Sequence, residues 1–159
     1  MANYCSASRT NYFRVTDEVK YAALIERLTV GEGELYDFTK TDENGVIWHG
    51  FGAYDTIDYL NPAYDEFGDD EDEFDEDAFD EEDYEDYDLD AFLKELATIL
   101  PDGEAFILFN AGHEKLRYIS GSAIIVTNKG IDSVGLEEMA VAKAADLLGV
   151  SIFSTQCTY

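Results

Sequence analysis

The sequence is short of basic residues, and neither lysine nor arginine occurs between Lys40 and Lys94. Over the whole chain, ten Lys and Arg stand against 36 Asp and Glu, which gives a formal net charge of -26. A protein that binds a phosphate backbone needs a basic footprint, and anionic membranes attract basic segments. The composition therefore excludes direct binding of nucleic acid and disfavours attachment to a membrane surface.

Cysteine and long apolar runs are also scarce. Cys5 and Cys157 are the two cysteines, near opposite ends of the 159 residues. The first nine residues lack the apolar core of a signal peptide, and no stretch approaches the roughly 20 apolar residues of a membrane-spanning helix. We therefore predict a cytoplasmic protein with reduced thiols, while a disulfide that joins the two ends remains the alternative.

Sequence motifs of catalysis are missing. The chain has no P-loop, GxGxxG, HExxH, CxxC or GxSxG motif. His49 and His113 are the only histidines, and both fall in or beside predicted hairpins, where a histidine is usually a packed or surface residue. Gly68 precedes the densest acidic cluster instead of lying at the sixth position of an EF-hand loop. The sequence thus predicts no enzyme, no cofactor and no dedicated metal site.

Hydrophobic periodicity and turn residues predict the elements of the first half. Residues 10–15 favour a strand, and Thr16 is the predicted N-cap of a helix that Gly31 and Gly33 end. Asn44-Gly45 then predicts the turn of a hairpin between strands 34–40 and 46–54.

The second half repeats this order. Leu89 to Leu100 predicts a helix capped by Asp88 or Asp90, and residues 105–111 and 116–127 predict a second hairpin. A third helix carries an apolar stripe and ends at Gly149, and residues 151–159 are a candidate edge strand. That stripe consists of Leu136, Met139, Ala140, Ala144, Leu147 and Leu148.

The order β-α-ββ-insertion-α-ββ-α predicts a single α+β domain over 1–159, with about three helices packed on a mostly antiparallel sheet. The units 17–59 and 88–127 have the same order, as an internal duplication would produce. Residues 62–88 form an acidic insertion between them, at a place where a loop lengthens at little cost in closure entropy.

The acidic run from Asp65 to Asp90 holds eighteen carboxylates, half of all Asp and Glu in the protein. Five aromatic rings interrupt it, whereas a purely entropic acidic spacer is usually poor in rings. Three interpretations remain open: a solvated, disordered loop; a mimic of nucleic acid; and sequestration of a basic partner.

The mimic interpretation has a physical basis. Duplex DNA carries one charge per about 1.7 Å of axis, and a helix rises about 1.5 Å per residue, so a mostly acidic helix reaches a similar charge density. Like-charge repulsion opposes such a helix, so carboxylates of the folded domain, Asp42, Glu43, Asp55 and Asp58, are alternative mimic groups. The predicted partner-binding residues of the run are Asp69, Asp70, Glu71, Asp72, Glu73, Phe74, Asp75, Glu76, Asp77, Asp80, Glu81, Glu82, Asp83, Glu85 and Asp86.

Four segments together resemble a known group of proteins: NYCSASRTNYFRVTDE, HGFGAYDTIDY, GHEKLRYISGSAIIVT and STQCTY. The group comprises small acidic proteins encoded on mobile elements of gut Firmicutes, in which the acidic insertion varies. The resemblance implies a mobile-element setting but no functional residues. By charge and context alone, the chain is also similar to DNA-mimic anti-restriction and anti-CRISPR proteins.

These observations predict a non-enzymatic inhibitor that blocks the nucleic-acid-binding surface of a basic defence or regulatory protein. The alternative is a general protein-interaction domain of a mobile element with a solvated acidic loop.

Overall fold

The computed structural model describes residues 5–31, 33–60, 88–114 and 118–151. Over these residues the chain forms the α+β domain that the sequence predicts, in roughly the predicted order. The elements are β1 (Cys5–Thr10), α1 (Glu18–Ile25), β2 (Leu28–Val30), β3 (Tyr36–Thr41), β4 (Ile47–Ala53), β5 (Ile57–Tyr59), α2 (Leu89–Ala97), β6 (Phe106–Glu114), β7 (Tyr118–Thr127), β8 (Gly130–Gly135) and α3 (Leu136–Leu148).

Six strands form one antiparallel sheet in the order β3-β4-β1-β6-β7-β8, and β2 and β5 form a separate antiparallel pair. The first strand therefore lies between the two predicted hairpins and joins them. Among the described helices, none is long and apolar enough to cross a bilayer.

The strand register separates two faces of the large sheet. Directly opposed residues point to the same side, so Thr10, Phe51 and Phe106 share one side with Val126. We call this side the covered face, because α1 and α2 bury it. Arg9, opposite Phe109 in the register, belongs to the other side, which we call the open face.

Aromatic rings form the centre of the core on the covered face. Phe13, Phe51, Phe92 and Phe106 are fully buried. The Phe13 and Phe106 ring centroids are 5.1 Å apart at an interplanar angle of 84°, and those of Phe51 and Phe106 are 5.8 Å apart. Phe92 on α2 packs edge-to-face on Phe51 and Phe106, with centroid distances of 6.1 and 6.3 Å. Edge-to-face pairs add about 0.5–1.5 kcal/mol to the free energy of area burial, so the rings tie both hairpins to α2.

The first strand lies earlier than predicted, at Cys5–Thr10 instead of 10–15. Its polar side chains point inward and are hydrogen bonded: Ser8 Oγ donates to Asn110 Oδ1 over 2.8 Å, and Thr10 Oγ1 accepts from Phe51 N over 2.9 Å. A hydrophobic pattern cannot reveal a strand whose buried side chains are hydroxyls satisfied by distant partners.

The first helix differs from prediction at both ends. Asp17 is its N-cap and accepts a hydrogen bond from Lys20 N, whereas Thr16 donates to the carbonyl of Ile99. The helix also ends at Ile25, before the predicted stop at Gly31 and Gly33, because the next residues pair as β2 with β5. Tertiary pairing thus overrides the helical spacing of Leu28.

The first hairpin is confirmed, with Gly45 at φ 79° in its turn. The glycines on β4 mark close packing: a Cβ at Gly52 would lie 2.8 Å from the carbonyl O of Ser8. The second hairpin is longer than predicted, because Gly112–Glu114 continue β6. The short strands β2, β5 and β8 were not predicted from the sequence.

The second and third helices are confirmed, and Gly149 caps α3 in the left-handed region at φ 68°. However, α3 begins on the open face, where a Cβ at Gly121 would lie 3.3 Å from the Leu136 side chain. Residues 152–159, which include most of the predicted edge strand, lie outside the described residues.

Candidate functional site

All fifteen predicted partner-binding residues, from Asp69 to Asp86, lie outside the described residues. The structure does describe both ends of the segment that carries them. We call these ends, at Tyr59, Leu60 and Asp88, the root of the acidic segment.

The two sides of the root, Tyr59 and Asp88, are in direct contact. Asp88 N donates a hydrogen bond to Tyr59 O over 2.9 Å. Leu60 N donates to Arg27 O over 3.0 Å. The Tyr59 side chain is only 2% exposed, and its ring lies 5.6 Å from that of Phe92. A buried ring and main-chain bonds therefore fix the residues that flank 61–87 on the side of α1 and α2.

Asp88, the last residue of the predicted insertion and one of the two predicted caps of the second helix, has a structural role. It is the N-cap of α2, and its carboxylate accepts a hydrogen bond from Ala91 N over 3.1 Å. Asp90 lies in the first turn of the same helix, where the helix dipole favours negative charge. Sixteen carboxylates remain between Asn61 and Tyr87, still without a basic residue.

The alternative mimic carboxylates of the folded domain are mostly engaged in the fold. Asp42 accepts from Asn44 N and Val46 N, over 2.8 and 2.9 Å. Asp55 accepts from Ser6 Oγ and Thr56 N, and Asp58 accepts from Tyr59 N. These three acids stabilise turns and strand ends, so they are poorly placed to act as an array of phosphate-like groups.

Two cations of the folded domain are paired with local carboxylates. Arg14 forms an ion pair with Glu104, with a further hydrogen bond from Nε of 2.7 Å, and Lys20 lies 2.5 Å from Glu95. The folded domain therefore satisfies these cations itself, and they offer little compensation to the acidic segment.

The histidine on β4 is packed, as the sequence predicted. His49 is 7% exposed, its ring centroid lies 4.4 Å from that of Tyr21, and its Nε2 is 3.0 Å from a Glu18 oxygen. The Tyr21 hydroxyl is buried without a hydrogen-bond partner among the described residues. Burial above all, followed by the charges of Asp37 and Glu18, raises the pKa of Tyr21.

Cys5 and His113 are direct neighbours across β1 and β6 on the open face. Both are exposed. Within the described ranges, no group of three or more His, Cys, Asp and Glu is arranged to hold a metal ion.

The open face carries an apolar groove that the sequence reading did not assign. It encloses about 580 Å³ between the sheet and the start of α3. Its walls include Phe109, Ile125, Leu136 and Met139, over a floor of small residues such as Ala111. Two sequence features accompany it: the continuous apolar run 123–126 on β7 and the apolar stripe of α3.

Comparison of the chain with models of protein families, with curated proteins and with solved structures gives no match.

Proposed function

We propose that this chain is a non-enzymatic inhibitor whose acidic segment, residues 61–87, occupies the nucleic-acid-binding surface of a basic protein. The observation that supports it best is the root. Sixteen carboxylates without a basic residue are inserted between two groups, Tyr59 O and Asp88 N, that hydrogen-bond to each other over 2.9 Å. The folded domain thus holds both ends of a dense negative charge, which a cationic groove is built to receive.

The charge balance favours a basic partner over any other class. Without the sixteen carboxylates of 61–87, the formal charge of the chain falls from -26 to -10. Within the folded domain, Arg14 and Lys20 are already neutralised by Glu104 and Glu95. A partner that brings positive charge relieves the repulsion in the segment, and proteins that bind DNA carry such charge in the Lys and Arg that neutralise phosphates.

The rings of the segment supply the apolar part of the contact. Phe74, in the middle of the predicted partner-binding residues, lies among carboxylates on both sides. An aromatic side chain that fills a pocket of the partner gives an interface more binding energy than rim charges do. We therefore assign Phe74 as an anchor, and the surrounding carboxylates as the groups that steer association.

The setting that fits this activity is the cytoplasm of a bacterium in which a mobile element meets a defence system. The class of target we propose is a CRISPR effector, a restriction enzyme or a DNA-binding regulator. This assignment rests on charge and on the resemblance described above.

A second candidate function is a general protein-interaction domain in which the acidic segment only keeps the chain soluble. The groove on the open face favours it, because an exposed apolar surface of this kind marks interaction sites. Under this alternative, removal of 61–87 leaves partner binding intact.

The test is competition with DNA. Purified restriction enzymes and CRISPR effectors are mixed with labelled duplex DNA, and the protein is added at increasing concentration. We expect displacement of DNA that weakens steeply as ionic strength rises, because exposed charges are screened beyond about 10 Å at 0.1 M salt.

Two variants of the segment show whether its charge causes the displacement of DNA. In one, Gly-Ser-Gly-Ser replaces residues 61–87, and displacement should be lost. In the other, the residues around Phe74 are scrambled while Phe74, the numbers of Asp and Glu and the length stay unchanged, and displacement by charge density should survive. Failure of the native chain to compete with any of these enzymes at low salt would refute the proposal.

A further inference from the structure

The strongest feature that the proposed function leaves unused is the apolar surface formed by the open face and α3. Ile119 on β7 is 71% exposed and Phe109 on β6 is 49% exposed. Ala7, on the inner strand β1, is exposed as well. An antiparallel sheet with one solvated face normally shows polar residues there, so this face has the composition of a buried one.

Helix α3 also exposes apolar side chains to solvent. The sequence predicts that its apolar stripe packs against the protein, yet Ala145 is the only buried residue of the helix. Leu136, Met139, Leu147 and Leu148 are between 57% and 78% exposed. Helix α3 contacts β7 and β8 along one side. Its large apolar side chains nevertheless remain mostly exposed to solvent.

The charge of this surface is unlike that of the rest of the chain. The charged side chains that the strand register places on the open face are Arg9, Lys40 and Asp132. Arg9 lies over the ring of Phe38, 5.2 Å from its centroid. Together with the four charged residues of α3, the surface is close to neutral, in a protein whose formal charge is -26.

From this we infer that two copies of the chain associate through the open face and α3. The surface is self-complementary, because α3 of each copy offers exposed apolar side chains and the sheet of each copy offers an uncovered apolar floor. A two-fold axis lets each helix cover the other copy's sheet, as an isologous interface requires. Near-neutrality removes the like-charge repulsion that would otherwise oppose association of two acidic chains.

The position of the root supports a second copy as the occupant. Tyr59 and Asp88 lie on the side of α1 and α2, across the sheet from the open face. Association through the open face therefore leaves the two roots on opposite outer sides of the dimer, away from the interface.

The size of the surface is adequate. The part of the open face that α3 leaves uncovered has strands spaced by about 4.8 Å and roughly 20 Å long. Together with the exposed side of a helix of roughly 20 Å, it offers an area on the order of the 800 Å² per subunit that a stable interface buries. Since the contact is apolar, its strength should not fall with salt.

The test is sedimentation velocity of the native chain between about 1 and 100 µM, at low and high salt. We expect a dimer whose dissociation constant is unchanged or lower at high salt. Ile119→Asp and Leu147→Glu should each raise this constant at least tenfold. Both side chains are more than 70% exposed, and circular dichroism verifies that the variants fold.

Val19→Glu is the matched control, since Val19 is 82% exposed on α1, and the dimer should persist. A monomer at every concentration, a monomer that carries a bound apolar ligand, or a dimer insensitive to Ile119→Asp and Leu147→Glu would overturn the inference. The variant in which Gly-Ser-Gly-Ser replaces 61–87 should still dimerise. A failure of the dimer inference can therefore be told apart from a failure of the inhibitor proposal.

Discussion

Tyr59 and Asp88 are 29 positions apart in sequence, yet the main chain of one hydrogen-bonds to that of the other over 2.9 Å. The contact joins the end of β5 to the start of α2 at the root of the acidic segment. Because these two elements meet directly, we expect the segment to be separable from the fold.

The first prediction concerns this separability. Replacement of 61–87 by Gly-Ser-Gly-Ser should leave the domain folded and should raise its free energy of unfolding by up to about 2 kcal/mol, since a shorter loop costs less closure entropy. Urea unfolding followed by circular dichroism measures the change. Loss of the cooperative transition would show that the segment belongs to the core.

The boundary of the replacement matters because Asp88 caps α2. Asp88→Ala should cost about 1 kcal/mol, as the loss of an N-cap usually does, and Asp88→Asn should cost less because the amide oxygen still accepts from Ala91 N. Equal stability of the native chain and both variants would contradict the cap assignment.

The second prediction concerns the contact of β4 with β1. Gly52→Ala should destabilise the protein by about 1–3 kcal/mol, because the new methyl group would lie 2.8 Å from the carbonyl O of Ser8 and the backbone must shift. Gly130→Ala is the control, since nothing lies within 4 Å of a Cβ there. Similar melting temperatures for the two variants would refute this packing.

The third prediction concerns the buried hydroxyl of Tyr21. Its pKa is raised by burial, so the folded state retains a proton that the unfolded state loses near pH 10. Stability is therefore complete below the unfolded pKa and falls as pH rises above it. Absorbance at alkaline pH should show Tyr21 ionising only on unfolding.

Tyr21→Phe should remove this alkaline loss of stability. At neutral pH the variant should be as stable as the native chain or more stable by up to about 1 kcal/mol, because the hydroxyl has no partner among the described residues. A marked destabilisation would mean that the hydroxyl is hydrogen bonded.

The fourth prediction concerns Asp42 in the first hairpin. Hydrogen bonds from Val46 N first, and then from Asn44 N and the Trp48 indole, hold the pKa of Asp42 below its ordinary value. Its contribution to stability is therefore complete above the unfolded pKa and is lost as pH falls through the folded one.

Trp48 is the only tryptophan, so its fluorescence reports on this turn. We expect an acid transition in the native chain and none in Asp42→Asn, where the amide oxygen keeps the turn without titrating. If both proteins showed an acid transition with its midpoint at the same pH, a group other than Asp42 would be its cause.

Local sequence signals predicted the elements whose causes are local. The hairpin around Gly45, the helix capped by Asp88 and the stop at Gly149 depend on turn and cap chemistry, and all three are confirmed. The strand at Cys5–Thr10 was misplaced because distant partners satisfy its buried hydroxyls. Strands β2 and β5 were missed because they exist only through their mutual pairing.

The acidic segment and the open face also differ in how far the sequence predicts them. The acidic segment is visible in composition alone, and the sequence assigned its residues directly. The open face was not predicted, because periodicity shows that α3 has an apolar stripe but not whether the protein covers it. The structure leaves that stripe exposed, with Leu147 at 78%.

The salt dependence of partner binding, measured for the native chain and for the variant in which Gly-Ser-Gly-Ser replaces 61–87, tests the inhibitor proposal most sharply. With a DNA-handling protein that the native chain displaces from duplex DNA, we expect that the dissociation constant rises steeply with salt, as for phosphate contacts. We also expect that the variant binds at least a hundredfold more weakly at low salt. Equal affinity and equal salt dependence of the two proteins would contradict the proposal.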